Sequence, residues 1–140
     1  MDETRYFDYV LKSELKSKKI VHCKDFIPIK NISIIDEADI NFKDNYNLNI
    51  TYPGTYYIES KLYINCNTND HISIGIFNNN KLLQNSLITE TVKYAIKNYY
   101  INCSALIVNS FGEITNIKII NLSSVPLELA KYSITIKKLI

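Results

Sequence analysis

TYPGTYYIESKLYINC, residues 51–66, is the stretch whose reading decides the fold. It opens on Pro53-Gly54, a turn pair in which proline presets one dihedral and glycine accepts positive φ. Strict alternation follows. Tyr56, Ile58, Ser60, Leu62, Ile64 and Cys66 point one way, and Tyr57, Glu59, Lys61, Tyr63 and Asn65 point the other. Successive side chains leave a strand on opposite faces, so this is a strand with one buried and one more polar face. Its length places it centrally in a sheet.

Working outward, period-two patterns recur and helical ones do not. Ile20–Cys23, Ile32–Ile35, Ile40–Phe42 and Leu48–Ile50 precede the central strand, with a proline bend at Pro28. His71–Phe77 alternates with Ile72, Ile74 and Ile76 on one face, and Asn78-Asn79-Asn80 reads as a hairpin turn built without glycine. Lys81–Leu87 returns from that turn. Residues 89–97, TETVKYAIK, fit either a helical turn or loop and strand, and their neighbours favour the latter. Tyr99–Val108, Ile114–Ile120 and Ala130–Lys138 complete the set, the last with Ala130, Tyr132, Ile134 and Ile136 inward. About eight to ten short strands separated by turns is the pattern of a sandwich or barrel.

Residues 4–17 are the one expected helix. Phe7, Leu11 and Leu15, with Tyr6 and Val10 beside them, recur at helical spacing, and Asp2, Glu3 and Thr4 suit its N-terminus. A helix this short is marginal alone and must dock on the domain or on a sister chain. The expected organisation is a helical segment over residues 1–18 followed by one β domain over residues 19–140.

With 140 residues, 46% hydrophobic and 21% charged, the chain is of ordinary globular balance and long enough to bury a core. A net charge of +2 with interspersed signs offers no large basic field for nucleic acid. No apolar run approaches the ~20 residues of a spanning helix, and the acidic start lacks a signal-peptide core, so neither membrane insertion nor export by that route is expected. Glycine and proline number three each, so turns must rely on Asn and Asp, which tolerate left-handed backbone.

The residues that carry chemistry are sparse. Three cysteines, Cys23, Cys66 and Cys103, leave at least one outside any intrachain bridge, and the simplest expectation is three small buried hydrophobes in a reducing compartment. His22 and Cys23 are adjacent on a strand and face opposite ways, and Cys66 with His71 reads as packing plus turn rather than nucleophile plus base. Asp36-Glu37-Ala38-Asp39 lacks the glycine and ligand spacing of a calcium loop and is expected to be a solvated acidic turn. No catalytic residue, metal site or cofactor is assigned. The eleven tyrosines, Tyr57 and Tyr63 on a polar strand face among them, read either as half-buried strand surface or as interface.

Three segments together resemble the C1q/TNF-like jelly-roll family. Tyr52-Pro53-Gly54-Thr55-Tyr56-Tyr57-Ile58 is similar to that family's approach to its central strand. Cys103–Val108 leading to Phe111-Gly112-Glu113 resembles its small-residue strand and Gly-Asp turn, with Glu in place of Asp. Ala130–Leu139 is similar to its final strand. Over residues 20–140, order and ending look most like the C-terminal domains of bacterial collagen-like exosporium glycoproteins. No Gly-X-Y tract stands in the chain, and residues 4–17 are expected to take the place of such a stalk.

The resemblance implies an all-β jelly-roll β-sandwich, here with a short N-terminal helix, assembled as a homotrimer. The sheet holding the first, central and last strands would pack about the threefold axis. Tyr57, Glu59 and Tyr63 would face that axis, with Tyr99 and Ile101 as partners. It further implies a non-enzymatic structural or adhesive role on a spore surface or similar particle, other surface proteins or glycans being candidate partners. Without that setting a cytoplasmic location is expected. The alternative is a ligand-binding domain, for carbohydrate or a receptor, using loops at one end of the sandwich: Asn67, Asn69 and Asp70, and Asn78, Asn79 and Asn80.

Overall fold

The structure, a computed structural model, describes residues 7–42, 44 and 47–139. The alternating stretch becomes strand β6, Gly54–Cys66. Its six inward residues from Tyr56 to Cys66 are buried, and Tyr57, Glu59, Lys61, Tyr63 and Asn65 are not. Gly54 opens the strand at φ 154°, a backbone conformation that residues with side chains rarely adopt, and a Cβ there would lie 3.3 Å from Lys138 Cε, which would have to give way.

Around β6 lie β1 (Phe7–Leu15), β2 (Lys19–Val21), β3 (Ile32–Ile35), β4 (Ile40–Phe42), β5 (Leu48–Ile50), β7 (Asp70–Asn78), β8 (Lys81–Leu82), β9 (Ile88–Val92), β10 (Ile96–Asn109), β11 (Thr115–Asn121) and β12 (Leu127–Leu139). The first sheet runs β10-β6-β12-β1-β3, with β2 pairing the start of β12. The second runs β4-β5-β11-β7-β8, with β9 also pairing β7. All pairings are antiparallel, and the chain passes from sheet to sheet, so neighbours in space are distant in sequence. Ile58, Leu62, Ile134 and Ile136 from one sheet meet Ile74, Ile76, Ile117 and Ile119 from the other, all buried. Each such side chain contributes about 1.5–3 kcal/mol by leaving water.

The expected N-terminal helix is corrected. Residues 7–15 are β1, an interior strand paired with β12 on one side and β3 on the other. Residues 4–6 lie outside the described residues. The register shifts between Tyr9 and Leu11, so Val10 and Leu11 are both buried, after which Leu11, Ser13 and Leu15 alternate inward. One extra residue inserted into a period-two pattern imitates a helical stripe over so short a run. The strand wins because β12 would otherwise expose its edge from Tyr132 to Leu139, whereas an isolated helix of this length gains little. Over these residues the segment belongs to the same sandwich as residues 19–140.

The hairpin expected at Asn78–Asn80 is present. Asn78 pairs with Lys81, and Asn79 and Asn80 take φ of 49° and 66°, the two positive values that a two-residue turn matching strand twist requires. Residues 88–92 are strand β9, which settles the ambiguous TETVKYAIK stretch as strand, bend and the start of β10.

The acidic turn is solvated at Asp36, Glu37 and Ala38, as expected, and is corrected at Asp39, which is buried. It forms an ion pair with Lys138 at 3.3 Å and joins the second sheet's β4 to the end of β12. The same ammonium lies 4.2 Å from the centroid of the Tyr52 ring. Tyr56 donates its hydroxyl to the Tyr52 carbonyl at 2.8 Å. Burial first, then the charges of Asp39 and Asp36, push the Tyr56 phenol up to about 12.

Because β1 is an interior strand, Leu11→Ala is expected to lower the unfolding free energy by about 2–5 kcal/mol in urea titration. Removing residues 1–17 is expected to abolish the cooperative transition. A midpoint unchanged by both would restore a docked helix outside the core.

Candidate assembly face and ligand loops

Pairing in the first sheet lines up its outward residues in rows. Leu106, Tyr57, Lys137 and Tyr9 stand opposite one another across β10, β6, β12 and β1. Two residues along β6, Ser104, Glu59, Thr135 and Lys12 form the next row, then Asn102, Lys61, Ser133 and Glu14, then Tyr100, Tyr63 and Lys131. Aromatic rings therefore mark both ends of the face and polar groups fill its middle.

The rows are held by specific contacts. The Tyr63 and Tyr100 rings meet at 5.2 Å between centroids, tilted by 40°, and Lys131 Nζ lies 4.7 Å over Tyr63. Lys137 Nζ lies 4.9 Å over the Tyr9 ring at the other end. In the middle, Glu59 accepts a hydrogen bond from Asn102 Nδ2 at 3.2 Å and pairs with Lys61 at 3.7 Å. Cation–ring contacts at exposed sites contribute about 0.5–1 kcal/mol each. The lysines thus lie across the rings rather than standing off the face.

Tyr57, Glu59 and Tyr63 are on this outer face, as expected from alternation. Tyr99 and Ile101 are not. Ile101 is buried in the core opposite Leu62, and Tyr99 packs against the core with its hydroxyl donating to Glu90. That bond, reinforced by burial, raises the Tyr99 phenol above its ordinary range. The outward residues of β10 are Tyr100, Asn102, Ser104, Leu106 and Val108. The small inward run Cys103, Ala105, Ile107 carried this parity in the sequence. Leu106 and Val108 are 62% and 65% exposed, and Phe111, on the turn made by Gly112 at φ 78°, is 92% exposed.

The two sets of loop residues do not come together. Asn67–Asp70 precedes β7 and Asn78–Asn80 follows it, so they sit at opposite ends of a nine-residue strand, about 25–30 Å apart. The first turn is closed by Asp70 Oδ2, which accepts the Asn67 N–H at 2.8 Å, and is tied to the end of β9 by Val92 O, which accepts the Asn69 N–H at 2.7 Å. It borders a cleft of about 650 Å³ also lined by Lys18, Ile20, Lys97 and Glu128. Asn65 Nδ2 and the Lys18 ammonium hold the Glu128 carboxyl below its ordinary range.

No protein-family profile matches the chain, and no curated protein matches it. Solved structures do. The Eiger TNF of S. frugiperda superposes with a TM-score of 0.64 at 13% identity, covering 97% of this chain and 94% of that one. The globular domain of zebrafish complement 1qA gives 0.59 at 12% identity over 95% and 98%. PRD1 vertex protein P5 gives 0.55 at 12% identity over 95% and 99%. The fold is the C1q/TNF-like jelly roll. In this C1q/TNF-like sandwich β6 and β12 share one sheet with β2, the strand nearest the first one that the resemblance implied, and with β1, which the resemblance did not include.

The three cysteines of the jelly roll are free thiols, but Cys23 is exposed, contrary to the expectation of three buried ones. It sits in the turn after β2, where Lys24 takes φ 67°. Burial pushes Cys66 up to about 11 and Cys103 up to about 12. Native protein should therefore react with one equivalent of a thiol reagent and denatured protein with three. Cys66, Cys103 and Tyr56 each stay protonated in the folded state at pH values that ionise them in the unfolded chain. Their contribution is intact below about pH 9 and is lost as pH rises toward 12, so Tm should fall across that window. A flat alkaline profile, or three fast thiols in the native protein, would contradict this packing.

Proposed function

We propose that this chain is a non-enzymatic assembly module, a homotrimer in which the outer face of the first sheet packs about a threefold axis. We place it as a structural or adhesive component on the surface of a spore or comparable particle. The observation that carries the reading is the outer face itself. Tyr9, Tyr57, Tyr63, Tyr100 and Leu106 project from a sheet whose other side already holds the core. Tyrosine brings large contact area at low entropic cost, and apolar residues gathered on one face fit an interface better than the scattered exposure of a monomer. Glu59, the acid on the central strand, is already held by Asn102 and Lys61, so three copies need not bring together a bare carboxylate.

The placement of Cys66 and His71 supports the non-enzymatic reading. Cys66 points into the core with its thiol pushed up to about 11, while His71 is exposed and its Nδ1 lies 2.9 Å from Thr91 Oγ1. They are not a nucleophile and its base. The spore setting rests on the resemblance of residues 20–140 to exosporium glycoprotein domains. The same fold also serves in PRD1 vertex protein P5.

Glutamate at Tyr57 or Tyr63 would place three like charges in a drying interface, costing several kcal/mol per assembly. Tyr57→Glu and Tyr63→Glu are expected to elute as monomers in size-exclusion chromatography with light scattering, while Lys81→Glu, in the hairpin of the other sheet, stays assembled. Assembly retained by both tyrosine variants would exclude this face.

A further inference from the structure

The second sheet carries on its outer face a depression of about 440 Å³ lined by Asn47, Asn49, Asn79, Asn80, Asn116 and Lys118. Three pieces of the fold assemble it. β5 and the residue before it supply Asn47 and Asn49, β11 supplies Asn116 and Lys118, and the β7–β8 turn supplies Asn79 and Asn80. Register places Asn49 between Asn41 and Asn116, so three amides stand in one row across β4, β5 and β11.

These amides are held in place. Asn116 Nδ2 donates to Asn49 Oδ1 at 2.9 Å and to Asn47 Oδ1 at 3.5 Å. The Asn116 backbone N–H donates to Asn79 Oδ1 at 2.8 Å, and the Asn79 N–H returns a bond to the Asn116 carbonyl at 2.9 Å. Asp44, beside this depression in sequence, accepts hydrogen bonds from the backbone and side-chain N–H groups of Asn47 at 2.9 and 2.8 Å. Lys118 Nζ donates to Asn80 Oδ1 at 3.1 Å and lies 5.0 Å from the Phe26 ring centroid.

What remains open defines a chemistry. Among the described residues, Asn79 Nδ2, Asn80 Nδ2 and Asn116 Oδ1 make no hydrogen bond, and Lys118 has no carboxylate partner. Donors and an acceptor presented side by side match neighbouring hydroxyls, each of which both donates and accepts. One fixed ammonium, without an arginine fork, suits a singly charged carboxylate better than a phosphate dianion.

We propose that this depression binds an acidic saccharide, its hydroxyls on Asn79, Asn80 and Asn116 and its carboxylate on Lys118. The site lies on the sheet that the assembly face leaves open, so it does not depend on the trimer. In a threefold assembly it would be repeated three times, raising avidity for a glycan-coated surface.

The test uses side-chain amide signals in nitrogen–proton correlation spectra of the full chain. Lactose, 3′-sialyllactose and a galacturonic-acid trisaccharide are titrated to about 10 mM, the range for a few exposed hydrogen bonds. The expected result is movement of the Asn79, Asn80 and Asn116 side-chain signals with at least one acidic saccharide. Lys118→Gln should weaken that binding by about tenfold or more without changing any response to lactose. Asn116→Ala should weaken every response. Lys118→Gln leaves all the amides in place and keeps the test decisive should Asn116→Ala fail to fold. No shift with any of the three sugars, shifts confined to another surface, or acidic-sugar binding unaffected by Lys118→Gln would overturn the proposal.

Discussion

The rest of the structure depends on the pairing of β6 with strands on both of its edges. β10 runs beside it from Gly54 to Cys66 and β12 from Thr55 to Asn65, so its ladder is closed on both sides by strands from much later in the chain. Side-chain direction alternates with period two, and a slip of one residue in either partner would turn its apolar set outward. Register therefore fixes two surfaces at once. Ile58, Leu62, Ile134 and Ile136 are committed to the core, and Tyr57, Tyr63, Lys131 and Lys137 to the outside.

Around that pairing, bulges decide the details, and bulges are where reading from sequence failed. β6 was legible because its alternation is uninterrupted and a Pro-Gly turn marks its start. β1 was not, because the register shift after Tyr9 puts Val10 and Leu11 on the same side and breaks the period. Its pairing with β12 spans more than 100 residues of sequence, and no local signal announces it. In β10 the register shifts between Ile96 and Tyr99, with Asn98 at φ 57° between them, and the aromatic pair Tyr99-Tyr100 gave no local clue to which ring points out. The inward parity of Cys103, Ala105 and Ile107 did contain it. In β12 a shift between Leu129 and Lys131 takes up Ala130, which was expected inward and is only half-buried while Leu129 is buried; beyond it Tyr132, Ile134 and Ile136 point inward as alternation implied.

The sites divide along the same lines. Asn79 and Asn80 were visible as turn residues because asparagine tolerates the positive φ that the hairpin demands. Their neighbours Asn47, Asn49, Asn116 and Lys118 were not, since only the antiparallel register of β5 and β11 brings them to one depression. Asp39 looked like one member of a solvated acidic run. Its burial against Lys138 follows from the meeting of the two sheets at β4 and β12, a long-range event that no short motif encodes. The two sheets thus carry different surface chemistry. One outer face is aromatic and cationic with a polar middle, and the other is rich in amides.

The central claim is that the aromatic outer face of the first sheet is buried against two further copies of the chain. Sedimentation equilibrium of the wild-type protein at tens of micromolar tests it most directly. The account predicts a single species of three times the 16.2 kDa chain mass. A species of 16.2 kDa across that concentration range would contradict it.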